Sequence, residues 1–272
     1  LYGSQMLEAF GFSVIDNYEF MKQALYDLVL HEVGHTFGLN HNFIASQLHT
    51  PEQMNDPVLG ATVGLTASVM DYTIPNISSD KNKQGLFFDI KPGLYDHWAI
   101  QYGYTPTENE NKDNAVLQKI LSASDKRENR FMNDADDMRS VGRGIDPRAN
   151  ISDMSDDAMG YAENNIKMVN NALPKLLAKY STSNQSYHEL RSAYLTLTGH
   201  YSRSLNIISR YIGGIFVNRN FVGQDSKDKP FTPTPFNEQK RAMQLLTKYA
   251  FSKNAFKAPN DTRSINMIII FF

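Results

Sequence analysis

Apolar positions recur at helical intervals in two parts of the chain and thin out between them. From Asp16 onward, Phe20, Ala24, Leu28, His31 and His35 step by three or four, which predicts a helix from about Asn17 to Phe37. Asp16 followed three residues later by Glu19 has the form of a capping box. The apolar stripe runs straight into two imidazoles, so the helix is predicted to hold them rigidly against a core. Residues 1–15 mix Met6, Leu7, Phe10, Phe12, Val14 and Ile15 with Gly3 and Gly11 without a period, an irregular lead-in. Residues 42–67, with Pro51, Asn55, Asp56, Pro57, Gly60 and Gly64, have the composition of a loop, and Gly93 to Tyr104 reads as a short aromatic helix ended by glycine.

Beyond Thr105 polar residues crowd out apolar ones as far as about Asp157, apart from Val116, Leu117, Ile120 and Leu121, which predicts an exposed connection. The last third returns to helical spacing. Met159, Ala162, Ile166, Val169, Leu173, Leu176, Leu177 and Tyr180 surround a break or kink at Pro174. A second helix runs from about Ser186 through Leu190, Leu197, Tyr201 and Ile208 to Gly213-Gly214. Phe221 to Phe236 is extended and turn-rich, and Glu238 to Phe251 is helical again, so a helical bundle results. The run Ile265 to Phe272 is apolar and β-prone and must pair, pack or aggregate. The expected organisation is a segment at 1–105, a polar connector at 106–157 and a helical region at 158–272.

Charge changes this picture little. The formal net charge of −2, with 21% charged residues, makes no large field, so neither nucleic acid nor an anionic membrane is implied as a partner. There is no cysteine to staple the fold. No apolar run approaches the ~18 residues of a membrane span. Asp134, Asp136 and Asp137, and Asp153, Asp156 and Asp157, lack an EF-hand spacing and read as solvated loop rather than calcium ligands.

The candidate chemistry lies in His31-Glu32-Val33-Gly34-His35-Thr36-Phe37-Gly38-Leu39-Asn40-His41. Histidines four apart sit one helical turn apart on one face, so His31 and His35 can point nitrogens at one ion. Glu32 leaves the helix beside that ion and is placed to accept a proton from water without itself binding metal. Gly38 lets the chain leave the helix through the left-handed region, so that His41 can arrive as a third ligand. A catalytic zinc site with one open position is the implied use.

The spacing resembles that of the metzincin clan of zinc peptidases, whose motif H-E-x-x-H-x-x-G-x-x-H is followed by a methionine-containing turn. Ser68-Val69-Met70-Asp71-Tyr72 is similar to that turn, which implies Met70 as an apolar floor under the histidines. The resemblance also implies that Tyr72 is a zinc ligand or a hydrogen-bond donor to the tetrahedral intermediate. Asn42 departs from the residues that usually follow the third histidine, and Glu52 is the downstream carboxylate a gluzincin-type site would use in place of His41. Metzincins carry a twisted sheet ahead of the active-site helix, and this sequence holds only a short segment there. The implied fold is therefore mainly α: the C-terminal part of a metzincin-like catalytic domain (active-site helix, Met-turn, closing helix) followed by a helical bundle, with the usual N-terminal sheet absent. Large exported bacterial zinc metalloproteases show a similar arrangement. The resemblance implies an endopeptidase with one zinc, a protein or peptide substrate, the upstream part of the parent chain as a partner, and an extracytoplasmic location. The alternative is a catalytically silent fragment that serves as a binding or structural module.

Overall fold

The computed structural model describes residues 2–106, 110–137, 144–180, 186–222, 224, 228–253 and 255. The run from Ile265 to Phe272 lies outside them. The fold is mainly α. Helices α1 (Tyr2–Ala9), α2 (Val14–Thr36), α3 (Pro57–Val63), α4 (Leu94–Tyr104), α5 (Glu110–Leu121), α6 (Asp134–Asp137), α7 (Ala158–Tyr180), α8 (Tyr187–Ser209) and α9 (Phe236–Leu246) follow in order. Among the described residues the sheet is one antiparallel pair, β1 (Ile215–Val217) with β2 (Phe231–Pro233), in register Phe216 to Thr232.

The main core forms where α7 and α8 pack lengthwise. Ala162, Ile166, Val169 and Leu173 of α7 meet Leu190, Ala193, Leu197, Tyr201 and Ile208 of α8, all buried. Helix α7 continues through Pro174 rather than breaking there, with Leu173 and Leu176 buried on either side of it. One backbone hydrogen bond is lost at a proline, and burial of the flanking leucines offsets it.

The lead-in is also helical, contrary to the irregular segment the pattern predicts. An eight-residue helix is too short to display its period, and α1 is held by Tyr2, Met6 and Leu7, which join the α7–α8 core. That core also takes in Phe20 and Phe87, so residues from both sides of the polar middle share it.

Helix α2 begins earlier than its pattern predicts. Ser13 is the N-cap: its Oγ accepts from the Asp16 N–H at 3.2 Å, and the Asp16 carboxylate accepts from the Ser13 N–H at 2.6 Å. The capping box is therefore Ser13 with Asp16, because a hydroxyl N-cap and an acidic N3 satisfy two orphan donors at once. The buried face is only partly the predicted one. Phe20, Gln23, His31 and Gly34 face inward, whereas Leu28 is 53% exposed. Val14, Tyr18, Met21, Leu25 and Leu28 form an outward stripe, flanked by Val29 and Val33. A helix with apolar residues on two sides gives one periodicity for both, so the pattern cannot tell which face is covered.

The 42–67 stretch is compact, with short 3-10 turns at Ala45–Leu48 and Gln53–Asn55 before α3, whose N-cap Asp56 accepts from the Val58 and Leu59 N–H groups. Among the described residues, much of the polar middle of the chain is not a solvated loop. Asp137, Asp146, Asn150, Asp153, Met154 and Ser155 are buried. Their carboxylates have partners inside the protein, Asp146 with Arg148 at 2.8 Å, Asp137 with Arg210 at 2.8 Å and Asp153 with Ser46 Oγ at 3.1 Å, so polarity there does not mean exposure.

Candidate metal centre

The last turn of α2 sets His31 and His35 on one side. The helix then closes with the Leu39 N–H donating to the Gly34 carbonyl at 3.1 Å, while Gly38 sits at φ +83°, where a side chain would be strained. The chain reverses, and His41 comes back against the helix end. Ring centroids of the three histidines lie 4.8, 5.0 and 5.4 Å apart, and their ligand-capable nitrogens all lie within 4.8 Å of one another. Among the described residues this is the only group of three or more metal-capable side chains, and Glu52 is not part of it.

Each ring is oriented through Nδ1. His31 Nδ1 donates to the Val69 carbonyl at 2.8 Å, His35 Nδ1 to the Leu39 carbonyl at 3.0 Å, and His41 Nδ1 to Asp134 Oδ2 at 2.8 Å. A carbonyl or carboxylate accepts only from a protonated nitrogen, so each Nδ1 carries a proton, and Nε2 is the nitrogen of each ring that can offer a lone pair to a metal. The Nε2 atoms of His31 and His41 are buried without a hydrogen-bond partner. Burial holds the His31 imidazole below the usual histidine range, which keeps it neutral at pH 7. Three convergent imidazoles, two with orphaned Nε2 atoms, fit a zinc ion.

The methionine turn lies directly beneath. Met70 is fully buried, and a Cβ on Gly34 would come 2.3 Å from its sulfur, so any larger residue at that helix position would force the Met70 side chain to shift. Two buried carboxylates shape the turn. Asp96 accepts from Ser68 Oγ at 2.5 Å and from the Val69 and Gly93 N–H groups at 3.0 and 2.8 Å. Asp89 accepts from the Leu65 N–H and Thr66 Oγ1 at 2.6 and 2.7 Å. The Val69 backbone thus connects Asp96, through its N–H, to His31, through its carbonyl. Asn42 locks the far side: its N–H donates to the Met70 carbonyl at 2.9 Å, its Nδ2 to the Arg130 carbonyl at 3.0 Å, and its Oδ1 accepts from the Met132 N–H at 3.1 Å.

Tyr72 lies over the histidines, its ring 5.0 Å from that of His31 and 4.5 Å from that of His41. Glu32 is exposed at the helix surface next to His31. The structure thus brings His31, His35, His41, Gly38, Met70 and Tyr72 together, with Glu32 at the edge. Three contributors lie outside the motif reading. Gly34 had a signal in its lack of a side chain within the helix, and Asn42 had one in its departure from the familiar pattern. Asp134, in a stretch read as solvated, had none.

The acidic clusters are all engaged. Asp134 accepts from His41, Asp136 pairs with Arg219, and Asp137 with Arg210. Asp153 accepts from Ser46 Oγ and Gln47, Asp156 pairs with Arg127, and Asp157 with Arg241.

Three histidines at the end of a helix, above a buried methionine turn, form the arrangement expected of a zinc metallopeptidase of the metzincin type. The chain belongs to the Met-zincin family, whose profile matches residues 14–268 and so runs from the first residue of α2 through the C-terminal helices. Neither the curated proteins nor the solved structures contain a match.

Proposed function

We propose that the chain is the metal-centre region of a zinc endopeptidase in which His31, His35 and His41 hold the ion and Glu32 is the general base. The observation that carries this reading is the pair of buried Nε2 atoms, on His31 and His41, that have no hydrogen-bond partner while every Nδ1 has one. Zinc bound there supplies Lewis acidity, acidifying water and polarising a peptide carbonyl. Glu32 takes the proton from the attacking water and can pass it to the departing amine. The Tyr72 hydroxyl, carried on a ring that covers His31 and His41, donates to the developing oxyanion. Met70 supplies a dry floor that fixes the helix end.

The test is Glu32→Gln, assayed on an unfolded protein substrate with zinc content measured on the same sample. The expected result is a fall in kcat of roughly 10²- to 10⁴-fold with zinc retained. Undiminished activity would remove Glu32 from the base position.

A second feature concerns the partner. The outward stripe of α2, from Val14 to Leu28, continues into Val33 and Phe37, beside an apolar cavity lined by Leu30, Val69, Pro92 and Ile100. An exposed face of this kind calls for a covering protein surface. We assign that role to the upstream part of the parent chain, in an extracytoplasmic protease. Equal rates on the unfolded substrate for this chain and for a longer one would reject both the need for that cover and the silent-fragment alternative.

A further inference from the structure

We propose that Asp134 is a positioning residue for His41, and that Arg219 holds its turn, making the C-terminal region part of the metal centre. This rests on the reading of the three histidines as zinc ligands. His31 and His35 are fixed by a helix, and their Nδ1 atoms meet backbone carbonyls. His41 lies past the helix end, where no regular backbone sets its ring. Its Nδ1 instead meets a carboxylate, 2.8 Å away and 93 residues along the chain.

A carboxylate behind a ligand imidazole does two things: it fixes the ring and the tautomer, and it makes the opposite nitrogen a better donor to the metal. His41 is 18% exposed with Nε2 buried and orphaned, whereas Asp134 is 66% exposed. The pair therefore points the histidine inward from a carboxylate at the surface, and loss of Asp134 opens no core.

What brings Asp134 there is distant in sequence. Asn42 and Phe43 bind the 130–132 backbone next to His41, the Phe43 N–H donating to the Met132 carbonyl at 2.7 Å. The next residues turn, with the Asn133 N–H donating to Asp136 Oδ2 at 2.9 Å. Arg219, just past β1, donates to Asp136 and to the Phe131 carbonyl, which clamps the turn from the C-terminal side. The family match, continuous across residues 14–268, includes both ends of this connection.

The test is zinc affinity, by competition with a chromophoric chelator, in the wild type, Asp134→Ala, Asp134→Asn, Arg219→Ala and the Asp134→Ala/Arg219→Ala double variant. The expected loss for Asp134→Ala is roughly 10- to 100-fold, with an unchanged thermal midpoint for the zinc-free protein. Asp134→Asn, which keeps an acceptor but no charge, should fall between. Arg219→Ala should weaken zinc binding in the wild-type background and add nothing once Asp134 is gone. Wild-type affinity in Asp134→Ala would overturn the positioning role. An equal effect of Arg219→Ala in both backgrounds would overturn the connection to the C-terminal region. A wild-type chain that takes up no zinc would overturn the metal centre itself, an outcome distinct from either.

Discussion

The histidine stretch and the aspartate turn meet at a single imidazole and are held in place by different means. Between His31 and His41 the backbone path is local: one helical turn carries two rings, and a glycine at φ +83° turns the chain so that the third comes back against the helix end. Between Asn133 and Asp137 the backbone turn is local, the Asp136 N–H donating to the Asn133 carbonyl at 2.9 Å, but two of its carboxylates are held from far away. Asp136 is held by Arg219, and Asp137 by Arg210, 83 and 73 residues away. A metal centre needs both kinds of order, because backbone geometry can aim a ring on a helix but not one that lies beyond its end.

Variants can break this comparison on either side. The largest effect is expected at Arg210, which is 14% exposed, pairs with the buried Asp137 and donates to the Asp146 carbonyl. Arg210→Ala removes the cation paired with a buried carboxylate and should cost about 3–5 kcal/mol in urea unfolding. A cost below about 1 kcal/mol would mean that the aspartate turn does not depend on its distant partner. Gly34→Ala tests the local side. Its methyl would collide with the buried Met70 sulfur, so a loss of about 1–3 kcal/mol is expected, together with weaker zinc binding. Unchanged stability would show that the sulfur has room to move.

The smallest effect sharpens the same contrast through pH. Burial pushes the Asp153 carboxyl up to about 7, and burial together with Asp153 raises Asp71 well above the usual carboxylate range. Ser46 joins the pair, its N–H donating to Asp71 at 2.9 Å and its Oγ to Asp153 at 3.1 Å. The folded chain then binds these protons more tightly than the unfolded chain, whose aspartates titrate near pH 4. The stability this contributes is full below about pH 4 and is lost as pH rises through about 7. Asp153→Asn should flatten that decline in thermal midpoints measured from pH 4 to 8. An identical slope in both proteins would remove the pair as its source.

How far the sequence can be read follows the same division. Ligand spacing, the Gly38 turn, the methionine turn and the helical last third are written within short windows, where periodicity and residue type suffice. The covered face of α2 was not legible, since Leu28 and Phe20 belong to one apolar period but only Phe20 meets a partner. Nor was the burial of Asp137 and Asp153, because a run of acids reads as solvated until the arginine or serine that satisfies it is brought close by the fold. Asp134 shows this most clearly: its only distinguishing feature is His41, far back in the chain.

The most direct measurement is zinc per chain, by elemental mass spectrometry after zinc titration and desalting, on protein purified without chelators or metal-affinity resin, beside His41→Ala. The account predicts about one equivalent on the wild type and far less on the variant. Equal zinc on both, or none on either, would contradict a centre built from His31, His35 and His41.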